Sequence, residues 1–266
     1  MWVTGSFTSP VNTSKTLPTT LWSLPPSTKK SSASGASVPD IPCFTTVHHL
    51  RLSSARNEPG LLDFLHSEFV KEIARGLSYP HDMGEATRNG FEDYFFAESV
   101  FLGIMHEGDV RGVKEYGEEK ITDGIPMKEV VLSVEDARAG RDWADCLTMF
   151  FYICNGGVIA STAVRGRGYG QTLGPSFMYY GPRLGYAAVI FNLVFVNNLP
   201  SIRLWESLKF QKIGLIPRAG RVARPDGRGV DFVDAITYYK DFRGLEGFRE
   251  DLYPLRDGEG APKAHL

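Results

Sequence analysis

The sequence "RGRGYGQTLG", residues 165–174, decides how the rest of the chain is interpreted. It places four glycines and two arginines between an apolar stretch and a segment of helical character. Glycine lets backbone amides approach an anion without interference from a Cβ atom. The first turn of a following helix adds N–H groups and the positive end of a dipole. The pattern therefore predicts either a basic anion-binding turn or a strand-to-helix turn without a ligand.

Two common phosphate-binding loops do not fit this stretch. A Walker loop requires GxxxxGK followed by Ser or Thr, and no lysine occupies that position. The dinucleotide fingerprint GxGxxG is incomplete in both registers, because Gln171 and Leu173 stand where its third glycine belongs. The spacing that fits is Arg165-x-x-Gly168-x-Gly170.

The segments around this stretch alternate between helix and strand patterns, which is typical of an α/β domain. A helix is predicted over 60–76 from apolar residues at helical spacing. After the glycines, the sequence predicts a helix from 170 to about 184 and a short helix that Pro200 opens. Strands are predicted over 94–105, 128–134, 187–196, 211–217 and 234–242, with one strand or two run together within 144–161.

The composition excludes several classes of protein. The chain has 266 residues, 42% of them hydrophobic, and a formal net charge of −2, so it is globular and lacks the basic excess of a general nucleic-acid binder. Its three cysteines lack CxxC spacing and are interpreted as free thiols of a reducing compartment. No apolar run reaches the roughly 18 residues of a membrane helix. The six histidines show no ligand spacing, and no metal site is expected.

The two ends of the chain differ from its middle. Residues 1–45 are rich in Ser, Thr and Pro and are predicted to be a disordered arm. Their Ser-rich, acid-poor composition fits a mitochondrial transit peptide, whereas the absence of arginine does not, so a cytoplasmic or a mitochondrial location is expected. Residues 46–242 form the predicted folded domain, and 243–266 form a charged C-terminal tail.

The spacing Arg165-x-x-Gly168-x-Gly170 resembles the acetyl-CoA pyrophosphate loop of the GNAT acetyltransferases, R/Q-x-x-G-x-G/A. Further along, "NLPSIRLWESLKF" (198–210) resembles the motif N-x-x-A/S-x-x-L-Y-x-x-x-G-F of the same proteins. The stretches "ICNGG" (153–157), "FNLVFVNN" (191–198) and "FQKIGLIPRAG" (210–220) are similar to the fungal N-acetyltransferases that acetylate proline analogues such as azetidine-2-carboxylate.

The resemblance implies a GNAT fold over 46–242, of class α/β (α+β), with a mixed twisted central sheet flanked by helices. It implies an N-acetyltransferase that moves the acetyl group of acetyl-CoA to the amine of a small amino acid of the proline type, and a homodimer. The charge balance and the short apolar runs predict no nucleic-acid or membrane partner. Asn155 and Asn192 would contact the amino-acid substrate, and Asn198 would lie beside the thioester. The residues implied in holding the cofactor are Val164, Arg165, Gly166, Arg167, Gly168, Tyr169, Gly170 and Asn198.

Structural roles remain open for these asparagines. Asn155 would otherwise be an amide that ties neighbouring backbone, and Asn198 a helix N-cap. Trp205 stands where many GNAT enzymes have a tyrosine that protonates the departing thiolate, and indole cannot serve as that acid. The thiolate would then leave with help from water, Asn198 or backbone amides.

Two features depart from the family pattern. "MFFYI" runs directly into "CNGG", without the longer hairpin of the family, so that a strand is lost or the pairing is rearranged. Gly174-Pro175 lies inside the predicted helix, which would then restart at Pro175. These departures motivate two alternatives: a GNAT-like module that binds acyl-CoA with little or no turnover, and an acetyltransferase that acts on a protein amine or a polyamine.

Overall fold

The computed structural model describes residues 16–24, 43–76, 78–79, 86–97, 99–153, 157–162, 165, 169–224 and 228–253. The strands are β1 (Thr19–Ser23), β2 (Cys43–Leu50), β3 (Val100–Glu107), β4 (Lys120–Thr122), β5 (Ile125–Val130), β6 (Leu147–Tyr152), β7 (Val158–Ala160), β8 (Ala188–Phe195), β9 (Gln211–Ala223) and β10 (Val230–Asp241). The α-helices are α1 (Leu52–Ala55), α2 (Leu61–Arg75), α3 (Arg88–Phe95), α4 (Val134–Arg138), α5 (Trp143–Cys146), α6 (Gly170–Arg183) and α7 (Leu199–Ser207), and Glu250–Leu252 is a 3-10 turn.

The described strands form two sheets. The larger has seven strands in the order β4-β5-β1-β2-β3-β6-β7, and the smaller has three in the order β8-β10-β9. Neighbouring strands pair antiparallel in both sheets. The consecutive strands β7 and β8 therefore lie at the edges of different sheets, and helix α6 connects them in sequence.

Strand β1 shows that the prediction of a disordered arm over 1–45 is wrong for part of that segment. Thr19–Ser23 lies inside the larger sheet, paired with β2 on one side and β5 on the other. Trp22 is completely buried, and its Nε1 donates to Thr20 Oγ1 at 2.7 Å. The arm's average composition concealed the five-residue strand "TTLWS", whose two apolar residues lie between threonines and a serine.

Two predicted strands were placed wrongly at one end. The prediction of a strand over 94–105 holds from Val100, but Tyr94 and Phe95 are the last two residues of helix α3. Thr87 caps this helix, because its side chain accepts from the Gly90 N–H, and the buried rings of Phe91 and Phe95 lie one turn apart. The strand expected over 128–134 ends at Val130. Aromatic residues satisfy both strand and helix patterns, and here helical packing against α2 prevails.

The buried apolar residues form two main clusters, and helix α6 is the central element of the second cluster, here called the second core. Its Phe177 ring lies 6.0 Å from Phe151 of the larger sheet and 5.3 Å from Phe191 of the smaller one. Its Tyr180 hydroxyl oxygen lies 2.9 Å from the Pro18 carbonyl oxygen and 3.0 Å from that of Val47, and donates its one proton to either. The two sheets therefore share one apolar core built around this helix.

The helix runs without interruption from Gly170 to Arg183, although Pro175 and Pro182 lie inside it. The expectation that it restarts at Pro175 is therefore wrong. Gly174 has a packing role, since a Cβ there would overlap the Leu208 side chain at the end of α7. Leu204 and Leu208 thus pack closely on α6 beside Pro175, which lacks the N–H of a helix hydrogen bond.

The start of the charged tail packs on the domain. Leu245 and Phe248 contact the second core, and Tyr253 donates its hydroxyl proton to the Gly185 carbonyl oxygen at 2.6 Å. Residues after 253 lie outside the described part of the chain.

A row of polar side chains crosses the larger sheet. His48 and His106 are buried, and each has a ring nitrogen within 3.0 Å of Thr46 Oγ1. Burial, and then the neighbouring His106, lowers the pKa of His48 to about 3. Burial, and then Arg141, lowers the pKa of His106 to about 4. Both imidazoles are therefore neutral in the folded protein at neutral pH.

Replacing Trp22 with alanine should lower the free energy of unfolding by about 3–5 kcal/mol, because it empties a fully buried site in the shared core. Urea unfolding followed by circular dichroism measures this loss. Tyr116→Ala is the matched control, since Tyr116 is 58% exposed and its loss should cost far less. Equal, small losses in both variants would show that β1 is not part of the stable fold.

The free energy of unfolding should fall as the pH falls from about 6.5 towards 4. In this range the unfolded chain protonates its histidines, whereas His48 and His106 remain neutral in the fold. Each should contribute about 2 kcal/mol of this loss by pH 5. Urea unfolding at pH 7 and pH 5 measures the slope, and His106→Gln should reduce it. A slope that is equal in wild type and variant would contradict this assignment.

Candidate active site between helices α2 and α6

The strand that leads into the glycine segment (residues 165–170) belongs to a short hairpin. Strand β7 pairs with β6, Phe151 lies opposite Val158, and the Tyr152 N–H donates to the Gly157 carbonyl oxygen at 3.0 Å. Both strands of this hairpin are thus present and paired antiparallel, so the expected loss of a strand is not observed. Asn155 lies outside the described residues, and its predicted substrate role stays a prediction.

The glycine segment is described at three positions, Arg165, Tyr169 and Gly170. The other residues predicted to hold the cofactor there, Val164, Gly166, Arg167 and Gly168, lie outside the described part of the chain. Gly170 is the first residue of α6 and is exposed, and a Cβ on it would meet no atom within 4 Å. Gly170 and Gln171, the first two residues of α6, are therefore exposed, whereas the Thr172 N–H donates to the Tyr169 carbonyl oxygen at 3.2 Å.

Tyr169 anchors this end of the helix from the inside. Its side chain is buried in a small cluster with Met105 and Leu24, so that the ring points away from solvent. Its carbonyl oxygen accepts from the Thr172 hydroxyl at 2.9 Å. Tyr169 would thus contribute its backbone to an anion site, while its ring fixes the helix against the larger sheet.

The Arg165 guanidinium is engaged by the protein itself. Its Nη2 donates to Glu72 Oε2 at 2.5 Å, and its Nε and Nη2 donate to the Ala160 carbonyl oxygen at 3.1 and 3.0 Å. The sequence analysis named Arg165 among the residues that would hold the cofactor, and the structure gives its side chain partners on α2 and β7. These contacts hold the beginning of the glycine segment in place.

Glu72 connects Arg165 to the start of helix α7. The carboxylate is buried, and its Oε1 accepts from the Ser78 hydroxyl at 2.6 Å. Ser78 Oγ in turn accepts from Asn198 Nδ2 at 3.2 Å. Arg75 adds a further donor to Oε2 at 2.9 Å. Two residues identified from separate motifs, Arg165 and Asn198, are thus joined through one buried carboxylate.

Glu68 lies one turn earlier on the same face of α2 and holds the chain just before Arg165. Its Oε2 accepts from the Thr162 N–H at 2.7 Å, and Lys71 donates to its Oε1 at the same distance. Burial raises the pKa of Glu68, but the donors of Lys71 and Thr162 outweigh it and leave the pKa below its ordinary value. Glu68 is therefore an ionised, compensated carboxylate.

Asn198 is a helix N-cap, which the sequence analysis gave as its structural alternative. Its Oδ1 accepts from the Ser201 N–H at 3.4 Å, while its Nδ2 donates to Ser78. Capping leaves the residue at the entrance of α7, on the side that Glu72 reaches. The cap and a place beside the cofactor are compatible.

Asn192 is exposed on β8, next to an irregularity in the strand pairing. Ile236 lies opposite Val194 and Tyr238 opposite Phe191, so that Asn192 and Leu193 together face a single residue of β10. This is a β-bulge, a feature that often reorients side chains beside active sites. The structure thus explains why an amide interrupts an otherwise apolar strand.

Trp205 is a core residue. Its side chain is buried, and its ring centroid lies 4.4 Å from that of Phe191 and 5.2 Å from that of Phe210. The position that carries the catalytic tyrosine in the related motif is therefore used here for packing.

The sequence analysis did not identify Glu68 and Glu72. Their signal was available, because both are acidic residues on the apolar face of an amphipathic helix, four residues apart. Charged residues on a buried face require partners, and those partners lie 93 and 94 positions along the chain, at Arg165 and Thr162.

The described residues were compared with the requirements of a metal site and of a membrane-spanning helix. No three of their His, Cys, Asp and Glu side chains come together as a metal site would require. No helix within the described ranges is long and apolar enough to cross a membrane.

Comparisons with known proteins give the family. No family model matches the chain. It is 33% identical over 205 residues to the N-acetyltransferase aca1 of Schizosaccharomyces pombe, a match that covers 73% of this chain and 86% of that protein. It is 25% identical over 208 residues to Protein SPT10 of Saccharomyces cerevisiae, covering 69% of this chain and 31% of that protein.

Among solved structures, a GCN5-related N-acetyltransferase from Kribbella flavida aligns with a TM-score of 0.47 and 17% identity, over 73% of this chain and 97% of its own. The similarity to aca1 is the decisive match. The chain belongs to the GNAT family of N-acetyltransferases, with its α/β fold, and is an acetyl-CoA-dependent acyltransferase by class.

Proposed function

We propose that this protein transfers the acetyl group of acetyl-CoA to the amine of a small amino acid of the proline type. The observation that carries the proposal is the position of the α6 N-terminus. It opens to solvent at Gly170, directly after the segment that Glu68 and Glu72 hold in place. Exposed N–H groups at a helix N-terminus are suited to a pyrophosphate.

The space for the reaction would lie between the two sheets. Strands β7 and β8 follow each other along the chain but occupy edges of separate sheets among the described residues. Such edges offer backbone N–H and C=O groups to a ligand. Acetyl-CoA would enter between them, with its pyrophosphate at Gly170 and its thioester near Asn198.

The acceptor amine would attack the thioester carbonyl carbon in its neutral form. A C–N bond forms and the C–S bond then breaks. The nitrogen loses its remaining N–H proton, and the thiolate of CoA gains a proton. Backbone N–H groups at the outer edge of β7 would stabilise the oxyanion. Because Trp205 is buried and cannot donate such a proton, the thiolate would be protonated by water or by donors near Asn198.

The charges of the site favour a small zwitterion over a polyamine. A polyamine acceptor requires uncompensated carboxylates, whereas Glu68 is paired with Lys71, and Glu72 with Arg75 and Arg165. Asn192 offers a neutral, exposed amide that could bind an amino-acid carboxylate. A protein amine as acceptor, or a module without turnover, remains an outcome of the tests below.

The homodimer implied by the resemblance is part of this proposal. Apolar side chains on β9 and β10 are exposed and would form its contact surface: Ile213, Leu215, Ile216, Val230 and Phe232. Sedimentation of the purified chain would then show one species of twice the chain mass.

Gly170→Asp should weaken acetyl-CoA binding at least tenfold relative to Gly170→Asn, because the two side chains have the same size and differ by one negative charge. An acidic residue in the first turn also favours the helix, so that the fold is retained. Isothermal titration measures both affinities. Equal affinities would place the pyrophosphate elsewhere, and a folded wild type that binds no acetyl-CoA would overturn the proposed function.

Asn192→Ala should raise the KM for azetidine-2-carboxylate about tenfold while the Kd of acetyl-CoA stays unchanged, since a hydrogen bond to the substrate carboxylate is lost. Asn192→Asp should raise that KM further, because it opposes one carboxylate with another. The release of the CoA thiol measures turnover. If spermidine is a better acceptor than azetidine-2-carboxylate for the wild type, the amino-acid assignment is wrong.

A further inference from the structure

Glu72 is an uncommon group to find in the interior of this domain. Its side chain is 7% exposed, on the inner face of α2, where apolar residues such as Phe69 and Ile73 otherwise form the core. Burying a carboxylate costs free energy, and a buried ion pair is often no more stable than apolar residues of the same size. Stability alone therefore does not explain why a carboxylate is buried at position 72.

The two oxygens of this carboxylate face different parts of the site. Oε2 accepts from Arg165, the first residue of the glycine segment. Oε1 accepts from Ser78, which binds the Asn198 amide in turn. These contacts join residues that are 93 and 120 positions apart in the chain. One carboxylate thus fixes the distance between the β7 side of the site and the beginning of α7.

We propose that Glu72 is a positioning residue that couples the two ends of the acetyl-CoA site, holding the pyrophosphate end through Arg165 and the thioester end through Ser78 and Asn198. The proposal rests on the proposed function, since it takes both ends to bind one molecule of acetyl-CoA. Glu72 itself contacts neither the cofactor nor the acceptor.

Glu72 makes two sets of contacts: the Arg165 arm (Glu72 to Arg165) and the Asn198 arm (Glu72 through Ser78 to Asn198). The two arms have separable effects on ligand binding. CoA and acetyl-CoA share the pyrophosphate, so a change in the Arg165 arm affects both ligands equally. They differ at the thioester, so a change in the Asn198 arm affects acetyl-CoA and leaves CoA unchanged. The ratio of the two dissociation constants therefore reports the Asn198 arm without requiring turnover or a known acceptor.

The experiment is isothermal titration of CoA and of acetyl-CoA into the full chain and four variants. Ser78→Ala should leave the Kd of CoA within twofold of wild type and raise that of acetyl-CoA about tenfold. Arg165→Met should raise both about tenfold and keep their ratio. Glu72→Gln should raise both and change the ratio as well, because its one carbonyl oxygen cannot serve both arms.

Glu92→Gln is the matched control. Glu92 is also a largely buried carboxylate that two arginines bind, Arg56 and Arg88, but it contacts neither Arg165 nor Ser78. Its variant should bind both ligands as the wild type does, whatever its melting temperature. The opposite outcome is that Glu92→Gln also loses binding, in proportion to its loss of thermal stability, as Glu72→Gln does. In that case Glu72 has only a structural role.

The outcomes separate this inference from the proposed function. If Glu72→Gln does not fold, Ser78→Ala decides, since it removes one hydroxyl. An unchanged ratio in folded Ser78→Ala overturns the coupling while the wild type still binds acetyl-CoA. A folded wild type that binds neither ligand overturns both the coupling and the proposed function.

Discussion

Helix α6 is buried continuously from Thr172 to Pro182, and the positions of both sheets follow from what packs around it. The larger sheet contacts it through Phe151, the smaller one through Phe191, and Tyr180 binds the backbone of β2 and of the segment before β1. A helix surrounded in this way cannot shift along its axis without breaking contacts on every side. Its N-terminus is consequently a fixed point, and the anion site proposed there would be preorganised by the core.

This constraint explains the small residues in α6. Gly174 and Gly181 lie where a Cβ would overlap Leu208 and the Phe242 ring, respectively. Glycine and proline weaken an isolated helix, and α6 contains both. Its stability therefore comes from tertiary packing, which is why a sequence that favours interruption at Pro175 forms an unbroken helix.

The sequence predicted the elements whose signals are local. Helix α2 is bounded by Gly60 and Gly76 as expected, and α7 begins at the Asn198 cap. The glycine spacing identified the approach to α6 for the same reason, because turn chemistry depends on neighbouring residues. What it could not predict depends on distant partners. Strand β1 is stable because β2 and β5 flank it, and the buried Glu72 side chain has an ion-pair partner only because Arg165, far along the chain, reaches it.

The place of β1 inside the larger sheet has a consequence for folding. Its residues leave the ribosome before those of the other strands, yet Thr19 pairs with Val130, and Tyr180 closes a contact to Pro18 across 162 positions. Contacts of such long sequence separation slow folding, because the closing of a long loop precedes the gain from the contact. During synthesis the nascent chain can pair β1 with β2 well before β5 is available. Until then one edge of β1 stays exposed, and the growing chain is vulnerable to wrong strand pairing at what becomes the middle of its sheet.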